Sequence, residues 1–300
     1  VPKTPHTAPE QGMRTDGHTP MKLNVAILVA FVLNTTLTFS SSLLPGAQSN
    51  AVLSAKYQSL ATPAGWAFSI WGIIFTLEAI FSVAQLLPSF RDTDEVQKAG
   101  PLFAAGCVLQ AVWSLVFAYE YVGCASVVLL LIALALWRTV AVLAQIASEK
   151  PPTAGRYVLL YLPFSIHFGW LTAATALGVN VAVVAAAPEA HAALLAVAVL
   201  SLALVFVMSL LEPSGSADSA YDLALAWALI GISAQLRAPL LDAPAASPIL
   251  SWCPSFVTAA LAIVALALGA GAAAVAVVSA VVGRNAALRS VAQPLIAEDK

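Results

Sequence analysis

Long apolar stretches separated by short polar segments recur along the chain after a polar start. Each stretch holds about 20 residues, which is the length that an α-helix needs to cross a bilayer. The pattern therefore predicts an all-α polytopic membrane protein with eight spans. The predicted spans are residues 23–44, 65–87, 101–119, 123–147, 157–184, 190–211, 219–236 and 254–283.

The first of these spans has an alternative interpretation, because Lys22 followed by an apolar run resembles a secretory signal peptide. A polar segment rich in Pro, Thr and His precedes it, and Asn34, Thr38 and Ser41 continue one helical face. We therefore interpret the run as a membrane span and residues 1–22 as a disordered tail.

Composition supports a membrane protein. Hydrophobic residues make up 60% of the chain, charged residues only 9%, and the mean hydropathy is +0.90. Soluble domains carry about 25% charged residues. A net charge of -2 without a basic stripe gives no reason to expect a nucleic-acid partner. Cys107, Cys124 and Cys253 have the spacing of neither a metal site nor a disulfide framework.

Lysine and arginine are distributed unevenly between the two sides of the predicted spans. With eight spans, ten of these residues fall on the side that holds both termini, whereas Lys56 and Arg237 lie on the other. The ten are Lys3, Arg14, Lys22, Arg91, Lys98, Lys150, Arg156, Arg284, Arg289 and Lys300. Because loops rich in positive charge stay in the cytoplasm, both termini are predicted to face it or its organellar equivalent. Nothing in the sequence identifies the membrane.

Residues 62–78 pass from a loop into the second span. Pro63 and Gly65 mark the beginning, where proline suits a helix start and glycine allows close backbone approach. Four residues at i, i+3, i+7 and i+10 then share one helix face. They are Phe68, Trp71, Phe75 and Glu78. Three aromatic rings and a carboxylate on one face favour a ligand site, and the alternative is a packing stripe with Trp66 as an interfacial anchor.

Two further spans carry tryptophan beside polar residues. The third span places Gln110, Trp113, Ser114 and Phe117 on one face, and the fifth span does the same with Pro163, His167, Trp170 and Ala174. Pro163 is expected to kink its helix, a feature of spans that line cavities. Three tryptophan-bearing faces together predict a pocket for a flat apolar ligand.

Ionisable residues at membrane depth are Glu78, Arg138 and His167, and such groups are functional candidates by default. Arg138 has the alternative of reaching back to the cytoplasmic side, and His167 that of a hydrogen-bonded core residue. A carboxylate at this depth must be protonated or paired, so Glu78 is expected to face the bundle interior. If Glu78, Arg138 and His167 formed a proton relay, the protein would be a proton-coupled transporter, which is an alternative function.

Several functions are excluded or disfavoured. No lysine lies inside a span, which excludes a retinal Schiff base, and a single intramembrane histidine argues against bis-histidine haem ligation. Neither a phosphate-binding loop nor a zinc-protease motif occurs. We therefore predict no catalytic residue, no metal site and no required cofactor, and leave open whether the protein is an enzyme.

The motifs on these spans resemble those of the tryptophan-rich sensory protein / translocator protein family (TspO, peripheral benzodiazepine receptor). The loop-to-helix motif is matched in order, with one residue fewer before the second tryptophan and Phe75 in place of tyrosine. Its residues are Pro63, Gly65, Trp66, Phe68, Trp71 and Phe75. On the third span Gln110 replaces asparagine before Trp113-Ser114, and on the fifth three residues are inserted between Pro163 and Trp170.

The resemblance implies a five-helix membrane domain over residues 23–187. Residues 188–284 would then be a three-helix membrane extension and residues 285–300 a tail. Residues 219–231 of the extension are similar to longer, divergent members of the family.

Family members bind porphyrins, and animal ones bind cholesterol and drugs, in a pocket closed by the first loop. The resemblance therefore implies a binding site for a planar tetrapyrrole, haem-type or sterol-like molecule, with a stress-sensing, receptor or transport role. The predicted site residues are Trp66, Phe68, Trp71, Phe75, Glu78, Gln110, Trp113, His167 and Trp170. The expected partners are lipid and this ligand, and the formation of a homodimer is left open. A third functional alternative is that the protein is a scaffold subunit of a membrane complex.

Overall fold

The structure, a computed structural model, describes residues 18–211, 218–241 and 252–297, with side chains described for 21–211, 218–238 and 252–281. Within these ranges it contains helices and loops but no β-strand. The predicted all-α fold class is therefore confirmed. Most of the predicted N-terminal tail lies outside the described residues.

The described residues include ten α-helices. They are α1 (His18–Ser40), α2 (Asn50–Lys56), α3 (Ile70–Ala84), α4 (Gly100–Ala118), α5 (Val122–Glu149), α6 (Ala154–Leu160), α7 (Leu162–Ala186), α8 (His191–Leu211), α9 (Ser219–Leu241) and α10 (Ser255–Ala297). Short 3-10 helices follow α1 at Ser41–Leu43 and precede α3 at Gly65–Ser69, and a π-helix at Glu95–Ala99 leads into α4.

Among the described residues, eight helices are long and apolar enough to cross a membrane, and they coincide with the eight predicted spans. The two α-helices outside this set are the short α2 and α6. The protein is thus an integral multi-pass membrane protein. The side on which its termini lie stays a prediction.

The bounds of several elements differ from the prediction. Pro163 does not kink a long fifth span, because the chain forms two helices, α6 and α7, and Pro163 lies in the first turn of the second. Proline is tolerated there, since the first amides of a helix have no intrahelical partner. Helix α1 begins at His18, inside the predicted tail, and α10 continues to Ala297.

The helices pack in a connected series. Helix α1 lies on α4, α4 on α5, and α5 on α7, while α3 contacts α1 and α7. Helix α9 packs on α7 along one side and makes its most extensive contact with α10. At Gly169 of α7, an added Cβ would meet the Tyr221 carbonyl oxygen of α9 at 2.6 Å. Glycine at this position allows α7 and α9 to approach closely, so α9 joins the C-terminal helices to the rest of the bundle.

At one end of the bundle, polar side chains form a cluster in which the acids are paired. Arg156 of α6 bonds to Glu95 at 2.8 Å, and Tyr161 donates to the same Glu95 oxygen at 3.4 Å. Asp218 accepts from Tyr157 at 3.0 Å and from Ser165. Burial, followed by the charge of Glu95, raises the pKa of Tyr161 to about 12. We call these residues (Glu95, Arg156, Tyr157, Tyr161, Ser165, Asp218) the paired cluster.

Candidate functional site

A cavity of about 490 Å³ occupies the other half of the bundle, next to the 45–64 loop. Its walls come from α2, the 3-10 helix before α3, the start of α3, and the adjoining parts of α4, α5, α7 and α9. This size is within the range of pockets that hold small organic molecules.

The chain before α3 is shaped so that two aromatic rings enter the cavity. Ser59 and Thr62 close a tight turn, in which the Thr62 amide bonds to the Ser59 carbonyl at 3.0 Å and the Ser59 amide to the Thr62 hydroxyl at 2.8 Å. Pro63 and Gly65 follow, and the 3-10 helix begins at Gly65. Phe68 and, one turn later, Trp71 then line the cavity.

Aromatic rings make contact around the cavity at edge-to-face and stacked angles. The ring centres of Phe68 and Trp170 are 5.7 Å apart at 86°, and those of Trp71 and Trp170 are 6.3 Å apart at 85°. On α4, Trp113 stacks on Phe117 at 5.0 Å and 11°. Tryptophans from three spans thus meet at one cavity, as the sequence predicted for a shared pocket.

Three buried polar atoms among the lining residues have no hydrogen-bond partner in the described part of the chain. They are the indole nitrogens of Trp113 and Trp170 and the amide Oε1 of Gln110. Trp170 and Gln110 are each only 2% exposed. Because buried polar groups are nearly always hydrogen-bonded, these two donors and one acceptor are candidate partners for a polar group of a guest molecule.

The remaining lining is uncharged. No Asp, Glu, Lys, Arg or His belongs to the described residues around the cavity. Besides the aromatic rings, it consists mainly of aliphatic side chains such as Leu129 and Ile132, together with uncharged polar groups such as Ser126 and Gln235. A charged guest group would therefore meet no counter-ion inside.

Glu78 and His167 form a buried pair outside the cavity lining. Glu78 Oε1 lies 2.6 Å from His167 Nδ1, and the two side chains are 0% and 3% exposed. Glu78 thus faces the bundle interior, as predicted. The ring of Trp71 meets that of His167 edge-on at 5.6 Å. Since Trp71 also lines the cavity, this ring connects the pair to it.

Arg138 does not join this pair. It is an exposed residue of α5, and its guanidinium lies 5.7 Å from the centre of the Trp137 ring. A proton relay would therefore involve Glu78 and His167 but not Arg138.

The nine predicted site residues separate into two groups. Five line the cavity: Phe68, Trp71, Gln110, Trp113 and Trp170. The other four, Trp66, Phe75, Glu78 and His167, are not among its lining residues. Phe75 packs against Phe31, Phe39 and Trp71, and Trp66 is half-exposed beside Trp227 of α9. A binding role for any of the nine stays a prediction.

Helix α2, within the 45–64 loop, covers the cavity; the resemblance implied closure by this first loop, but neither the helix nor its lining residues were predicted. Its lining residues, Asn50, Ala51, Ser54 and Ala55, lie on one face. At its end, Lys56 pairs with Glu120 of the α4–α5 turn, and Tyr57 donates to Glu120 at 2.9 Å. The Lys56 hydrogen bond lowers the pKa of Glu120 below its ordinary value of 4.5. We call this contact the latch.

Helix α9 was predicted as the seventh span, but its contribution to the cavity was not. Ala228, Ile232 and Gln235 line the cavity from the C-terminal part of the chain. A usable signal was the spacing of Trp227 and Gly231, one turn apart, because a small residue beside a large one is typical of close helix packing in membranes.

Comparison with known proteins gives one match. A family model described as TSPO-like protein matches residues 23–273. The matched range continues through α8 and α9 and into α10, beyond the five-helix domain that carries the three motifs. No curated protein and no solved structure matches the chain.

Proposed function

The chain belongs to the TSPO-like protein family, and from this premise we propose that its cavity binds a flat hydrophobic molecule of the tetrapyrrole or sterol type. The supporting observation is the cavity itself, with its aromatic walls and three unpartnered polar atoms. Apolar walls with a few placed polar groups are the usual form of small-molecule sites.

The uncharged lining favours the sterol type within this pair. A sterol brings one hydroxyl, which accepts from an indole N–H and donates to the Gln110 amide oxygen. A free porphyrin brings carboxylates, and burying a carboxylate without a partner is costly. Its carboxylates would have to remain outside the apolar walls, whereas a porphyrin ester carries no such restriction.

Titration of the purified protein in nanodiscs with cholesterol, protoporphyrin IX and its dimethyl ester tests the proposal, with tryptophan fluorescence as the signal. We expect saturable binding of cholesterol and of the ester that is tighter than binding of the free acid. Trp170→Phe and Trp113→Phe keep an aromatic ring but remove the N–H. Each is expected to weaken binding by about tenfold, the loss of ~1.4 kcal/mol.

The matched control is Trp252→Phe, because Trp252 stacks on His191 outside the cavity. Its affinity should equal that of the wild type. Absence of saturable binding of all three compounds would refute the proposal. Equal affinities for all three variants would show that binding occurs elsewhere.

Proton-coupled transport is a second candidate, favoured by the direct contact between Glu78 and His167. A carboxylate and an imidazole buried together can exchange a proton at membrane depth. The proposal predicts sterol uptake into liposomes that is driven by a pH gradient and abolished in Glu78→Gln. Glu149→Gln, at the exposed end of α5, is the control. Uptake that does not depend on the gradient would exclude this function while leaving ligand binding intact.

A further inference from the structure

Resting on the proposed binding function, we propose that α9 of the C-terminal extension determines which guests the cavity accepts. Two adjacent faces of this helix have different structural roles. One face holds the loop before α3 in place, and the other forms part of the cavity wall.

The first face is made by Trp227 and Gly231. The Trp227 indole N–H donates to the Ala67 carbonyl at 2.8 Å, and the Gly231 carbonyl accepts from the Ala64 amide at 2.9 Å. The rings of Trp227 and Trp66 meet edge-on at 4.9 Å and 89°. These contacts fix the backbone that precedes Phe68 and Trp71, so Trp227 is a positioning residue.

Glycine is required at position 231 for this approach. A Cβ added there would lie 2.8 Å from the Ala67 Cβ and 3.2 Å from the Pro63 Cβ. Any side chain would push α9 away from the loop and open the cavity at its side.

The second face is made by Ala228, Ile232 and Gln235, at i, i+4 and i+7. Ala228 is fully buried and Ile232 nearly so, although both line the cavity. Because no free surface lies beside Ala228, a larger side chain there would have to extend into the cavity and shorten it. The size of the residue at 228 and 232 is expected to set the length of the guest.

Hydrogen bonds to α10 and α8 hold α9 in place. The Ser233 hydroxyl donates to the Ala262 carbonyl of α10 at 2.8 Å, and Ser209 of α8 donates to Asp222 at 2.8 Å. Both bonds are buried, so α9 is fixed against its neighbours and cannot easily yield to an oversized guest.

Two sterols of different length test whether α9 determines which guests the cavity accepts. Cholesterol and androstenediol share the fused rings, but the second lacks the alkyl tail. We expect Ala228→Phe to lower the affinity for cholesterol by about tenfold or more and to leave that for androstenediol within about twofold. Leu223→Phe is the control, because Leu223 lies on α9 but is 54% exposed and outside the cavity.

Two further variants keep the test decisive if Ala228→Phe does not fold. Ile232→Ala should raise the affinity for cholesterol relative to androstenediol, since it lengthens the cavity. Trp227→Phe should speed dissociation of both guests several-fold, whereas a merely structural residue would leave the dissociation rate unchanged.

The outcomes separate this inference from the proposed function. If the wild type binds both guests and no α9 variant alters their ratio or their dissociation rates, the inference is overturned and the binding function stands. If the wild type binds neither guest, the binding function fails, and the inference fails with it.

Discussion

Buried polar groups are hydrogen-bonded in the paired cluster but lack partners at three atoms of the cavity lining. In the paired cluster, Glu95 and Asp218 each receive hydrogen bonds from at least two side chains. In the cavity, Trp113, Trp170 and Gln110 keep buried polar atoms without a partner among the described residues. Because an unpartnered buried group costs about 1–3 kcal/mol, the cavity lowers stability where the cluster raises it. This difference is what the proposed binding function requires, because the cluster stabilises the fold and the cavity keeps polar groups free for a guest.

The largest effect is expected at the paired cluster. Asp218→Ala removes the acceptor for Ser165, Tyr157 and the Ala220 amide. We expect the free energy of unfolding to fall by about 3 kcal/mol, since bonds to charged groups contribute about 1.5–3 kcal/mol each and do not add fully. Denaturant unfolding in detergent measures this. Sterol affinity at the opposite end should not change, and a large affinity loss would contradict the separation of roles.

A smaller effect of opposite sign is expected in the cavity. Gln110→Leu removes an unpartnered amide oxygen and keeps a similar volume, so the protein should gain about 1 kcal/mol of stability. Cholesterol affinity should fall by about tenfold at the same time. Unfolding and binding measured on one preparation check both signs. A variant that loses stability would show that Gln110 has a structural role, which would weaken the comparison.

The smallest effect is expected at the latch, which is exposed to solvent. Glu120→Gln removes the ion pair to Lys56 and should speed ligand dissociation a few-fold without altering the fold. Because the Lys56 bond lowers the pKa of Glu120 below 4.5, the latch is complete above that pH and is lost as the pH falls through the lowered pKa. Wild-type dissociation should therefore accelerate below about pH 4.5, and that of Glu120→Gln should not. Identical profiles would show that the latch does not control release.

The membrane fold could be predicted from the sequence because its signal is local. An apolar run of about 20 residues identifies a span regardless of what surrounds it. Helical spacing likewise placed Trp71, Trp113 and Trp170 on faces that meet at one cavity. The same reasoning misjudged Pro163, because a proline inside an apolar run gives no indication of whether the helix begins there or bends.

What could not be predicted depends on contacts between distant parts of the chain. The bond from Trp227 to Ala67 joins residues 160 positions apart, and no periodicity in either segment specifies it. The pairing of Glu78 with His167, and not with Arg138, could not be predicted for the same reason. Each lies at a suitable depth, and only the packing of α3 against α7 decides between them.

The position of α9 late in the chain has a consequence for biogenesis. Spans are synthesised in order, and a nascent chain that ends before Ala228 lacks both the cavity wall and the support for the loop before α3. Completion of the cavity therefore waits for one late helix, and truncation between α8 and α9 would remove this wall while leaving six of the eight candidate spans of the described residues.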